Sequence, residues 1–323
     1  MVYQTRRERR LAFEEQQREQ SRRRVQAFFG TVLLLTMFFV VTIFIGTRNQ
    51  TGDLQLGETA TAEPAKELAT QAKTPIADRI NQELPSKLAE INTQLQISNR
   101  TNLADIPSST ATGIAAIDLS KKGRGDVAYN ADTQFTSAST YKIFVAYAMI
   151  HDVETGQRTW NSSINGTTWD VCLTKMIVNS DNACPEAYIS SSRMGFTKFN
   201  QLMHDQLGVS EQTRFHLNDM RTSASDLALV LTKLYRGELM TSENRDKLYD
   251  LMKQQIYREG IPTGLGDSGA VADKVGFMNG LLHDAGIVFA DQGDYVMVIM
   301  TNGESWSYIA KVAEYVNSMY NSF

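Results

Sequence analysis

The spacing of apolar and polar positions divides this chain into regions of different period. Residues 28–46 (FFGTVLLLTMFFVVTIFIG) run for 19 positions without a charge. They are apolar on every helical face and long enough to cross a bilayer. Residues 47–74 show no period and are rich in Thr, Ala, Gln, Glu and Gly, the composition of a linker. From there Ile76, Ile80, Leu84, Leu88, Ile91 and Leu95 recur at steps of three or four, predicting an amphipathic helix interrupted or restarted at Pro85. Two short strands are predicted at 113–119 and 126–130, separated by the turn-like segment 120–125. Helical patterns then fill 139–258. Strand patterns return at 271–277, 284–290 and 294–301, and Trp306, Ile309, Val312, Tyr315 and Val316 close the chain at helical spacing. No internal repeat is present. This order predicts an α/β (α+β) domain over 75–323: a five-stranded antiparallel sheet, N- and C-terminal helices on one face, and an all-helical lobe beside it.

Charge settles the expected orientation of the apolar segment. Arg6, Arg7, Arg9, Arg10, Arg18 and Arg22-Arg23-Arg24 precede it, and only Arg48 follows closely. The positive-inside rule then makes 1–27 a cytoplasmic tail, 28–46 a single-pass signal anchor in the cell membrane, and 75–323 extracytoplasmic. A cleaved signal peptide is the rival reading, but the apolar run exceeds the usual 7–15 residues and Ala60-Thr61-Ala62 lies far beyond it. Of the 323 residues 42% are hydrophobic and 21% charged, which suits a folded domain; the net charge of −4 points to no nucleic-acid partner. His151, His204, His216 and His283 show no metal-ligand spacing, and no cofactor is expected.

Candidate chemistry centres on Ser139-Thr140-Tyr141-Lys142, which follows the predicted strand pair. Residues three apart on a helix share a face, so the Ser139 hydroxyl and the Lys142 amine can meet. A capping serine beside a solvated lysine is the plainer alternative for any isolated Ser-x-x-Lys. Two further motifs change that balance. Ser180-Asp181-Asn182 falls at a break between helical patterns, and Lys274-Val275-Gly276 lies on the first strand of the C-terminal group. A second Lys-x-Gly, at Lys121-Lys122-Gly123, reads as turn chemistry.

This ordered set resembles the serine enzymes of the class A β-lactamase and penicillin-binding protein family. The segments FTSASTYKIFVAYAMI, CLTKMIVNSDNACPEAYI, TSASDLALVLTKLYRGEL and HDAGIVFADQGDYVMVIMTNG are similar to that family in its order, over about 75–323. The resemblance implies a serine β-lactamase/transpeptidase-like fold and an acyl-enzyme on Ser139, with Lys142 as base. Ser180 would relay a proton to the leaving nitrogen. Asn182 would bind the substrate amide and hold Lys142, and Lys274 would attract the substrate carboxylate. Gly276 belongs to the same motif, and the backbone N–H groups of Ser139 and Phe277 would receive the oxyanion. The implied partners are D-Ala-D-Ala-type peptidoglycan peptides or β-lactams. A true β-lactamase, or a catalytically degenerate wall-binding or sensory module, are the alternatives. His283 lies near where some members carry a carboxylate-binding cation; an ordinary histidine is the other reading.

Two departures from the family pattern stand out. Between Thr213-Arg214-Phe215 and Thr222-Ser223 there are only six residues, none a glutamate, where class A enzymes carry a long loop whose glutamate activates the deacylating water. Asp219 is the nearest carboxylate, and poor deacylation is expected. Val275 replaces a hydroxyl residue. Cys172 and Cys184 flank the Ser180 motif, and either a disulfide or two buried thiols fits. Oligomeric state is not legible.

Overall fold

The computed structural model describes residues 75–99, 111–120, 122–191, 194–266 and 271–322. The expected tail, anchor and linker lie outside these residues. Among the described residues no helix is long and apolar enough to cross a membrane.

Helix α1 (Ile76–Asn99) leads into strands β1 (Ala111–Asp118), β2 (Val127–Tyr129) and β3 (Phe135–Thr136). A 3₁₀ turn (Ala138–Tyr141) opens α2 (Lys142–Glu154). The hairpin β4 (Ser163–Ile164) and β5 (Thr167–Thr168) precedes α3 (Trp169–Val178), α4 (Ala183–Ile189) and α5 (Gly195–Leu202). A second hairpin, β6 (Arg214–His216) and β7 (Asp219–Thr222), precedes α6 (Ala224–Tyr235), α7 (Ser242–Lys253) and the short α8 (Ile261–Leu265). Strands β8 (Val271–Met278), β9 (Leu281–Val288) and β10 (Tyr295–Asn302) and helix α9 (Trp306–Asn321) complete the fold.

The main sheet is antiparallel in the order β2-β1-β10-β9-β8, which agrees with the five strands expected. Alternation along each strand serves two cores. Ile114, Ala116, Met297 and Ile299 pack with α1 and α9, whereas Ala115, Val296, Val298 and Met300 face α6 and the helical lobe. Because both faces are covered, β10 reads as an unbroken apolar run in sequence.

Three local expectations need correction. Helix α1 runs through Pro85 without a break. Ile80 and Leu84 before the proline and Leu88 and Ile91 after it are all buried on one stripe. At about 1.5–3 kcal/mol each, they outweigh the roughly 3 kcal/mol that an interior proline costs. Strand β9 begins at Leu281 rather than 284, because Asn279 (φ 49°) and Gly280 (φ 84°) make a two-residue turn from β8. The nominally helical stretch also holds β4–β5, turned by Asn165 (φ 47°) and Gly166 (φ 72°), and the β6–β7 hairpin, which pairs with the preceding β3 in a small sheet. Asn-Gly is a strong hairpin signal, and both turns were there to be read.

Candidate active site

Ser139 sits in the 3₁₀ turn and Lys142 is the first residue of α2, so the two side chains share one face across the entry to a buried helix. The turn is held from both sides. Thr136 O accepts from His283 Nε2 at 2.8 Å, and Ser137 N–H donates to Met220 O of β7 at 2.8 Å. Ala138 is placed at φ 43°, a left-handed conformation that an alanine adopts only where its surroundings impose it. Gly276 on β8 lies directly behind: a Cβ there would stand 2.9 Å from Thr140 N and 3.0 Å from Ser139 N. Those neighbours are backbone atoms, which cannot swing aside. Glycine is what lets β8 reach the nucleophile turn.

Ser180 and Asn182 occupy the turn between α3 and α4. Ser180 is also left-handed (φ 57°), and Asp181 Oδ1 accepts from Cys184 N–H at 3.2 Å, which closes the turn onto α4. A Cys172–Cys184 disulfide ties α3 to α4 across it, deciding between the two readings of these cysteines.

The Ser139 and Ser180 motifs converge on Lys142, which is fully buried. Its Nζ lies 3.0 Å from Ser139 Oγ, 2.6 Å from Ser180 O, 3.1 Å from Ser180 Oγ and 2.7 Å from Asn182 Oδ1. Burial pushes the Lys142 pKa well below its ordinary value, the nearby Lys274 pushes it further, and Asp181 and Glu186 oppose this. A neutral amine has two N–H donors and one lone pair. Donating to Ser180 O and Asn182 Oδ1, the two shortest contacts, leaves the lone pair to accept the Ser139 hydroxyl proton. That is the geometry of a base beside a nucleophile.

Lys274 approaches from β8, its Nζ 3.1 Å from Ser180 Oγ and 3.0 Å from Val275 O. The Ser180 hydroxyl therefore stands between two lysines. Burial pushes the Lys274 pKa down to about 8, against the attraction of Asp273 and Asp284. Phe277 is the next residue along β8 after Gly276, and its ring packs edge-on against Tyr257 (5.1 Å) and Trp306 (6.4 Å).

His283 is a core residue. Its Nε2 lies 2.8 Å from Thr136 O, and its Nδ1 lies 2.8 Å from Leu282 O and 3.1 Å from Thr301 N. Burial pushes its pKa down to about 4, so it is neutral and unsuited to bind a carboxylate. Asp219 is held in ion pairs with Arg214 and Arg221 at 3.0 and 2.8 Å on the hairpin surface, and hydrogen bonds from both arginines keep its carboxyl below the usual range. Among the described residues no cluster of His, Cys, Asp or Glu suits a metal ion. The left-handed Ala138 was not legible in the sequence, since nothing in an Ala-Ser pair announces it.

No curated protein matches this chain. The fold is similar to solved structures. PBP-A is 23% identical, with 72% of this chain and 97% of that chain covered at TM-score 0.62. A beta-lactamase from Sphaerobacter thermophilus DSM 20745 is 16% identical, covering 74% and 97% at TM-score 0.61. A point mutant of PBP-A described as an acyl-enzyme complex with penicillin G is 22% identical, covering 73% and 98% at TM-score 0.61. Residues 98–318 match the model of the beta-lactamase enzyme family, and with the Ser-x-x-Lys, Ser-Asp-Asn and Lys-x-Gly motifs joined by hydrogen bonds through Lys142 and Ser180, this chain belongs to that family.

Proposed function

We propose that the protein is a membrane-anchored, extracytoplasmic serine acyltransferase or hydrolase that forms an acyl-enzyme on Ser139 with D-Ala-D-Ala-type peptidoglycan peptides or β-lactams. The observation that carries this is the 3.0 Å approach of a buried, pKa-depressed Lys142 Nζ to Ser139 Oγ. Lys142 takes the hydroxyl proton as Oγ attacks the amide carbonyl. The backbone N–H groups of Ser139 and Phe277 receive the oxyanion. As the C–N bond breaks, Ser180 Oγ gives its proton to the leaving nitrogen and regains one from Lys142. The penicillin acyl-enzyme described for the PBP-A mutant supports β-lactams as acyl donors for a fold of this kind. The Cys172–Cys184 disulfide supports an oxidising, extracytoplasmic location. Slow deacylation rests on the hairpin, whose single carboxylate, Asp219, is neutralised by two arginines at its surface.

Intact mass after addition of benzylpenicillin tests the reading. The expected result is one stoichiometric, long-lived adduct that disappears in Ser139→Ala; rapid return to the free mass with many equivalents consumed would establish a β-lactamase instead. Lys142 acts neutral and Lys274 charged. Acylation should therefore rise with pH as Lys142 loses its proton, and fall above about 8 as Lys274 loses its own. Protease added to intact spheroplasts tests the location: digestion of the domain is expected, and full protection would refute it.

A further inference from the structure

Gln255 lies just past α7 and belongs to none of the three motifs, yet it is 1% exposed and touches the site from behind. Strand β8 is the edge of the sheet, with β9 on one side only. An edge strand leaves alternate backbone groups without a neighbouring strand. Gln255 supplies a partner for one of them: its Oε1 accepts from Val275 N–H at 3.2 Å and faces Lys274 Nζ at 3.5 Å. Its Nε2 donates to Asp273 Oδ2. Asp273 is in turn gripped by Arg258, whose Nη2 also donates to Val271 O at 3.0 Å.

The anchor extends one residue further. The Asp273 and Asp284 carboxyls face each other in full burial, and each is pushed up chiefly by that burial. Asp284 Oδ2 accepts from Ile261 N–H at 2.8 Å, while Oδ1 meets no N–H donor. The neighbouring Asp284 carboxyl pushes Asp273 up further. Arg258, the Asp273–Asp284 acid pair and Gln255 thus form one buried polar chain that ends at Lys274.

We propose that Gln255 is the positioning residue of Lys274, pinning the 274–275 peptide at the open edge of β8 and joining the ammonium to the Arg258–Asp273–Asp284 anchor so that it stays aimed at Ser180. The charged or titrating groups around Lys274 are Lys142 from α2, Asp273 on its own strand, Asp284 from β9 and Arg258 from the segment before α8. Gln255 Oε1 is one of three neutral acceptors facing the ammonium, with Ser180 Oγ and Val275 O. The proposal rests on the acyl-enzyme reading for its consequence, but not for its test.

The test compares wild type with Gln255→Leu and Gln255→Glu in the full-length chain. Labelled with 13C at the lysine Cε, Lys274 is assigned by the loss of its resonance in Lys274→Arg, and its titration is followed directly. Gln255→Leu removes one acceptor and should move the Lys274 midpoint below that measured for the wild type, while slowing benzylpenicillin acylation about tenfold. Gln255→Glu adds negative charge beside the ammonium and should move the midpoint above that value. Opposite displacements establish the role. A midpoint that stays in place in both variants, even with a lower thermal stability, overturns it by showing that Gln255 only fills space. Absence of acylation in the wild type would instead refute the proposed function, and the lysine titration would still decide this inference.

Discussion

The two walls of the site are built differently. On the nucleophile side Lys142, Ser180, Lys274 and Gln255 are all buried, joined by hydrogen bonds, and set by left-handed Ala138 and Ser180. On the hairpin side, β6 and β7 carry half-exposed polar residues, and the tip residue Leu217 is 76% exposed. Burial is what makes charge chemistry possible: a lysine in water is an ammonium, whereas desolvation and a second cation push Lys142 toward the neutral amine. Asp219 shows the converse. Solvent and two arginines keep it ionised, as expected of a surface ion pair. On the proposed function, the polar order serves to make the acyl-enzyme, and among the described residues the hairpin wall carries no equivalent order for breaking it.

The sharpest way to break that contrast is Lys142→Ala. It should slow acylation of Ser139 by about 10²–10⁴, the usual cost of a lost general base, as read from the rate of adduct formation. Circular dichroism should show the fold retained. An unchanged rate would make Lys142 a bystander. Next, Gly276→Ala pushes a methyl into the backbone of the nucleophile turn. A displacement of a few tenths of an ångström to one ångström there should lower the acylation rate by about 10²-fold, with a stability loss of about 1–3 kcal/mol in urea melts.

Cys172→Ala/Cys184→Ala loosens the helices on either side of Ser180. The bridge closes a short loop, its cysteines 12 residues apart. Its loss should lower unfolding stability by about 2–4 kcal/mol, as measured by denaturant titration. The smallest effect is expected on the other wall. Asp219→Asn should change stability by less than about 1 kcal/mol and leave the lifetime of the penicillin adduct unaltered. A longer-lived adduct in that variant would identify Asp219 as a deacylating group and remove the asymmetry between the walls.

The sequence by itself determined a great deal here, because its signals were local. β-rich runs and period-3.6 patterns placed the main sheet strands and both terminal helices, and three short motifs named the residues that meet around Ser180 and Lys142. The structure brings them together: Lys142 to Ser139, Ser180 and Asn182, and Lys274 to Ser180. What escaped the sequence reading was decided by distant contacts. Helix α1 survives Pro85 because the sheet buries residues on both sides of it. His283 is pushed toward its neutral form because the packed sheet buries it fully, against its hydrogen bonds with the Thr136 and Leu282 carbonyls. Gln255 carries no motif; it matters because β8 is an edge strand, and strand order is a property of the whole sheet. Residue type and spacing fix which groups a segment can offer. Only tertiary packing fixes the dielectric around them and the partner each one meets, and those two quantities decide whether a lysine is a cation or a base.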